Sequence, residues 1–121
     1  MTIKEGTAHN SVPVHEKLFF VANSMGMKDV ELFSSNTSSK KTVYVKKDDG
    51  TRGPLDLTED PREYMAVADE FKISFVWDGP LENIIATMPT KDGCRTGCGK
   101  SYGEATLNCL YDYFSRQKKH D

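Results

Sequence analysis

Glu82-Asn-Ile-Ile-Ala-Thr-Met88, Lys91-Asp-Gly93 and Cys94-Arg-Thr-Gly97-Cys-Gly99-Lys100-Ser101 follow one another near the end of the chain. The first piece is apolar and partly β-branched and reads as a strand. The second is a turn signal, because Asp-Gly tolerates positive φ. The third is a glycine-punctuated link into an amphipathic helix opened by Ser101 and Glu104, a capping box. Strand, G-x-G-K-S and helix in that order admit a phosphate cradle or a hairpin that feeds a C-terminal helix. A full phosphate loop needs a glycine five residues before Gly99, and Cys94 stands there. An anion site of lesser kind survives that mismatch. Unpaired N–H groups at Ser101, together with Lys100, favour negative charge.

Working outward, Leu107, Leu110, Tyr111 and Phe114 form the apolar stripe of the last helix, and Arg116, Lys118 and Lys119 follow it. Upstream, Asp60 caps a helix with Pro61 at its first position and Glu63 three residues past the cap. Tyr64, Val67, Ala68 and Phe71 mark its apolar face. Ile73, Phe75 and Trp77 then alternate along a strand that Asp78-Gly79-Pro80 breaks. Alternation favours Trp77 in the core; the neighbouring turn leaves an interface role open. In the first half, Ser11 caps and Pro13 opens a helix with Val14, Leu18, Val21, Ala22 and Met25 on one face, stopped by Gly26. Met27 to Phe33 and Thr42 to Lys47 read as strands. Asp48-Asp49-Gly50 reads as a hairpin turn, and Gly53-Pro54 discourages regular pairing after it.

The expected order is therefore α-β-β-α-β-β-α, with Cys94–Cys98 as one further short strand. The fold class is α+β, one domain over residues 11–117, an antiparallel sheet of four to five strands packed with three helices. Residues 1–10 read as a fraying end and 118–121 as a basic tail.

The chain has 121 residues and a net charge of -2, and each half carries eight basic and nine acidic residues. No half is basic, which weakens a general nucleic-acid reading. Three cysteines make an odd set, the N-terminus is polar and no apolar run nears a spanning helix. These point to a soluble, cytoplasmic protein with free, buried or half-buried thiols and no membrane association.

Chemistry-bearing constellations are sparse. Cys94 and Cys98 lack the two further ligands of a closed zinc site, and His9, His15 and His120 lie near the ends. No nucleophile has a second member, so no metal, no cofactor and no catalytic set is expected. Candidate partner-binding residues are the acids Asp48, Asp49, Asp78 and Glu82 beside the two turns. The alternative is an anion or nucleic-acid patch of Lys91, Arg95, Lys100 and Ser101, joined by the Arg116–Lys119 segment.

Two resemblances bear on these residues. Asp60 to Gln117, with a helix, strands and Gly97-Cys-Gly99-Lys100-Ser101 before Ala105 and Leu110, looks like the α-β-β-β-α double-stranded-RNA-binding domain. That family implies a lysine cluster at the start of the last helix. Here Lys100 is followed by Tyr102, Gly103 and Glu104, and the acid opposes phosphate. Leu18–Met27, Leu57–Phe75 and Gly99–Leu110 together resemble small bacteriophage accessory proteins of the ABA-sandwich type. That resemblance implies a layered α/β fold and binding rather than catalysis. By analogy of size and origin it extends to inhibitors of host defence such as anti-CRISPR proteins. The expected function is a non-enzymatic protein that binds a host protein, as monomer or homodimer.

Overall fold

The secondary structure follows the local signals closely. A computed structural model describes residues 12–34, 41–47 and 49–120. They form helix α1 (Val14–Ser24), strands β1 (Glu31–Ser34), β2 (Lys41–Lys46) and β3 (Arg52–Pro54), helix α2 (Pro61–Glu70), strands β4 (Ser74–Asp78), β5 (Asn83–Thr90) and β6 (Gly93–Gly99), and helix α3 (Tyr102–His120). Among the described residues the architecture is α+β, with three helices and antiparallel strand pairing. The strands number six and lie in two three-stranded sheets, ordered β1-β2-β3 and β4-β5-β6, rather than in one sheet of four to five. The chain divides into two compact units, Met1–Leu55 and Asp56–Asp121.

In the first unit α1 packs on β2 and β1. Leu18, Val21 and Ala22 of the helix and Val43, Val45 and Leu55 supply its buried apolar groups. Val14, expected on that face, is 48% exposed. Pro13 occupies the N-cap position without a side-chain bond. The expected cap, Ser11, lies outside the described residues, as do the segment 1–10 and His9. Gly26 takes φ 81°, and the Met27 amide donates to the Ala22 carbonyl at 3.1 Å, so the helix stops as its sequence dictates. Strand β3 forms despite Gly53-Pro54. It is a three-residue edge, where a proline without an N–H costs no ladder bond. Arg52 on it bonds Glu31 of β1 at 2.7 Å.

The second unit runs α-β-β-β-α. Asp60 accepts from the Arg62 amide at 3.0 Å at the head of α2, beside Pro61. The Glu63 carboxylate accepts from the Asp56 amide at 3.0 Å. The three strands make a meander, and α3 packs on β6, β5 and α2. Leu57, Met88, Leu107, Leu110 and Cys109 are fully enclosed. Strand β6 is fully formed although its glycines disfavour extended structure, because it must be thin. A Cβ on Gly97 would overlap the Cys109 amide, and one on Gly99 would come within 2.7 Å of the Ala105 nitrogen. At the helix head, Gly103 is equally tight against the Thr58 carbonyl. The glycine punctuation therefore serves close strand–helix approach.

Candidate functional site

The Gly-x-Gly-Lys-Ser stretch is a capped helix start. The Glu104 amide donates to Ser101 Oγ at 3.2 Å, and the Glu104 carboxylate accepts from the Lys100 amide at 3.1 Å. Both groups that would meet an anion are thereby engaged within the chain. Lys100 Nζ donates to the Glu82 carbonyl at 3.3 Å, tying this corner to the β4–β5 turn.

That turn is the first candidate surface. Glu82 holds a left-handed backbone, φ 50°, and its amide donates to the Gly79 carbonyl at 3.1 Å. The half-buried Asp78 carboxylate accepts from the Leu81 amide at 3.4 Å. Three large apolar side chains are exposed in and before this turn: Val76 at 59% and Trp77 at 61% on opposite faces of β4, and Leu81 at 64% in the turn. Trp77 is therefore a surface residue, contrary to what alternation favours. It shares a strand face with Phe75, which packs edge-on against Tyr102 at 5.1 Å. That contact ends at the first residue of α3, and Trp77 lies two residues further along β4. Of the four candidate acids, Asp78 and Glu82 flank this patch. Asp49 belongs to the other unit, where its carboxylate accepts from the Thr51 hydroxyl at 2.6 Å and the Thr51 amide at 3.0 Å. Those bonds hold its pKa below the usual carboxylate value. Asp48 lies outside the described residues.

The second candidate surface is a cleft of about 900 Å³ between the β5–β6 turn and the later turns of α3. Pro89, Thr90, Lys91, Asp92 and Arg95 form one wall, and Tyr113, Arg116 and Gln117 the other. Lys91 and Arg95 thus come together, with Arg116 added from the helix. Lys100 and Ser101 stand at the far end of β6, roughly 16 Å from Arg95 at the usual rise per strand residue. The four-residue basic patch is split accordingly. Arg116 Nε donates to both Asp112 oxygens at 3.1 Å, and Gln117 donates to the Tyr113 hydroxyl at 2.7 Å. The Thr90 hydroxyl oxygen is buried and has no hydrogen-bond partner among the described residues. Tyr113 and Gln117 escape a sequence reading because neither stands on the apolar stripe. Their spacing of four, which brackets Arg116, is the one available signal.

The cysteines are free, and two of them sit differently from expectation. Cys94 and Cys98 are exposed, because strand alternation puts them opposite Gly97 and Gly99, which face α3. Cys109 is buried, and burial first, then the Asp112 charge, pushes its thiol up to about 12. A thiol so shifted is a poor nucleophile at neutral pH. Among the described residues no group of His, Cys, Asp and Glu is placed to hold a metal ion. No helix among them is long and apolar enough to cross a membrane. The chain matches no protein-family model, and no curated protein matches it.

Proposed function

We propose that this chain is a non-enzymatic accessory protein of bacteriophage type that acts by binding a host protein through the β4–β5 hairpin. The observation that carries this reading is the 61% exposure of Trp77, with Leu81 at 64%, on a hairpin whose turn is held by two internal hydrogen bonds and tied down by Lys100. Large apolar side chains left in water mark protein-binding surfaces, and tryptophan is among the side chains most often central to them. Asp78 and Glu82 at its margin suit a partner with basic residues around an apolar pocket, since rim charges steer encounter and fix register. Inhibition of a host defence system, in the manner of an anti-CRISPR protein, is the narrower form of this reading; it rests on analogy of size and origin alone. The host-cell cytoplasm is where such a partner would be met.

The α-β-β-β-α order of the second unit supports a rival, a nucleic-acid module of double-stranded-RNA-binding type. Two observations weigh against it. Lys100 is held by the Glu82 carbonyl, and the Glu104 carboxylate sits at the helix start where phosphate would lie.

Affinity capture from host lysate with the native chain and with a Trp77→Ala/Leu81→Ser variant tests the proposal. The expected partner is retained by the first and lost by the second. Capture that survives the double substitution would remove the hairpin reading. A low-salt shift with duplex RNA would favour the rival.

A further inference from the structure

A second chemistry resides in the cleft between the β5–β6 turn and α3, independent of the Trp77 hairpin. In a chain of net charge -2, three cations converge there from two elements, Lys91 and Arg95 from the hairpin and Arg116 from the helix. Their internal bonding is incomplete. Among the described residues Lys91 has no hydrogen-bond partner. Arg95 makes one long contact, from Nη1 to the Cys94 carbonyl at 3.4 Å. Arg116 spends its Nε on Asp112, which leaves its two terminal nitrogens for another acceptor. Guanidinium forks of this kind match the oxygens of a phosphate group. A volume of about 900 Å³ lies within the range of small-molecule sites.

The remaining lining groups are not those of a bare phosphate site. Asp92 repels phosphate and accepts from hydroxyls, the role a carboxylate plays toward ribose in dinucleotide sites. Tyr113 offers a ring fixed edge-on by Phe114 at 5.0 Å and Phe71 at 6.5 Å. Gln117 is oriented by its bond to the Tyr113 hydroxyl, and its amide oxygen remains an acceptor. A rigid aromatic face with an amide beside it is suited to a planar heterocycle. The C-terminal half of α3 contributes a weakly unfavourable field for anions, which three cations outweigh.

We infer that this cleft binds a phosphorylated nucleoside: the phosphates meet Lys91, Arg95 and Arg116, the sugar meets Asp92, and the base meets Tyr113 and Gln117. Binding is to be measured by calorimetric titration of the full chain at low salt with ATP, AMP and inorganic pyrophosphate. ATP is expected to bind, with pyrophosphate at least tenfold weaker. Arg95→Gln and Arg116→Gln should each weaken ATP at least tenfold while leaving the melting temperature nearly unchanged. Trp77→Ala should leave ATP affinity as it is, so failure of this site and failure of the hairpin reading are separate results. No heat with ATP at millimolar concentration overturns the inference. So does pyrophosphate binding as tightly as ATP, or a short RNA duplex outcompeting ATP at the same arginines.

Discussion

Gly97 of β6 lies so close beneath Cys109 of α3 that a single added methyl group would overlap the Cys109 backbone nitrogen. The obstacle is backbone, which cannot rotate aside as a side chain can. Gly97→Ala should therefore push the helix off the strand and destabilise the second unit by about 3 kcal/mol, the upper part of the range for overpacked cores. Urea unfolding followed by circular dichroism would read this. Gly50→Ala, where a Cβ meets open space, should lose less, from its φ of 91° alone.

Trp77→Ala should change stability by no more than about 0.5 kcal/mol, because most of the ring is already in water. Loss of partner capture without loss of melting temperature is the expected pairing. A large fall in melting temperature would mean that the ring is enclosed in solution.

The Thr90 hydroxyl is buried with no partner among the described residues, so it contributes a desolvation cost and no bond. Thr90→Val keeps the shape and removes that cost. The variant should be neutral or more stable by up to about 1 kcal/mol. A destabilisation beyond that would show that the hydroxyl has a partner in solution.

Cys109 titrates near 12 in the folded chain, against 9.0 for its ordinary value. The raised value means that the folded state holds its proton where the unfolded state releases it. Its contribution to stability is complete below pH 9 and is lost as pH rises from 9 toward 12. The fall in stability over that window should be shallower in Cys109→Ala than in the native chain. At pH 8 an alkylating reagent should label the exposed Cys94 and Cys98 in the native state, and reach Cys109 only after unfolding.

Ser101→Ala should cost about 1 kcal/mol, since the hydroxyl satisfies the Glu104 amide at the head of α3. Thermal unfolding gives the number, and Ser101→Asp should restore most of it.

The second unit was largely legible from residue order. Asp60-Pro61 and Ser101/Glu104 announce their helices through bonds that are local, and the structure keeps both starts. Strand β6 was harder, because Gly97 and Gly99 lower strand propensity and only the proximity of α3 explains them. The strand number turned on β3, whose Gly53-Pro54 reads as a breaker but pairs as an edge. Trp77 misleads for a geometric reason: alternation assigns it a face, but not whether α3 reaches far enough to cover that face. The basic residues of the cleft were individually apparent. Their joining with the Arg116–Lys119 segment was expected as well; the separation of Lys100 and Ser101 from them was not, because it follows from the length of β6, which puts those two at its far end.

The three tight glycines also set terms for divergence. Positions 97, 99 and 103 admit no side chain, whereas the turns at 79–82 and 91–93 meet mostly solvent. Changes in those turns would alter the hairpin surface and the cleft while leaving the seam fixed. A distant relative that had lost every other likeness would still carry the spacing G-x-G-x-x-x-G between its last strand and last helix, and that spacing is the signature by which this fold could be traced.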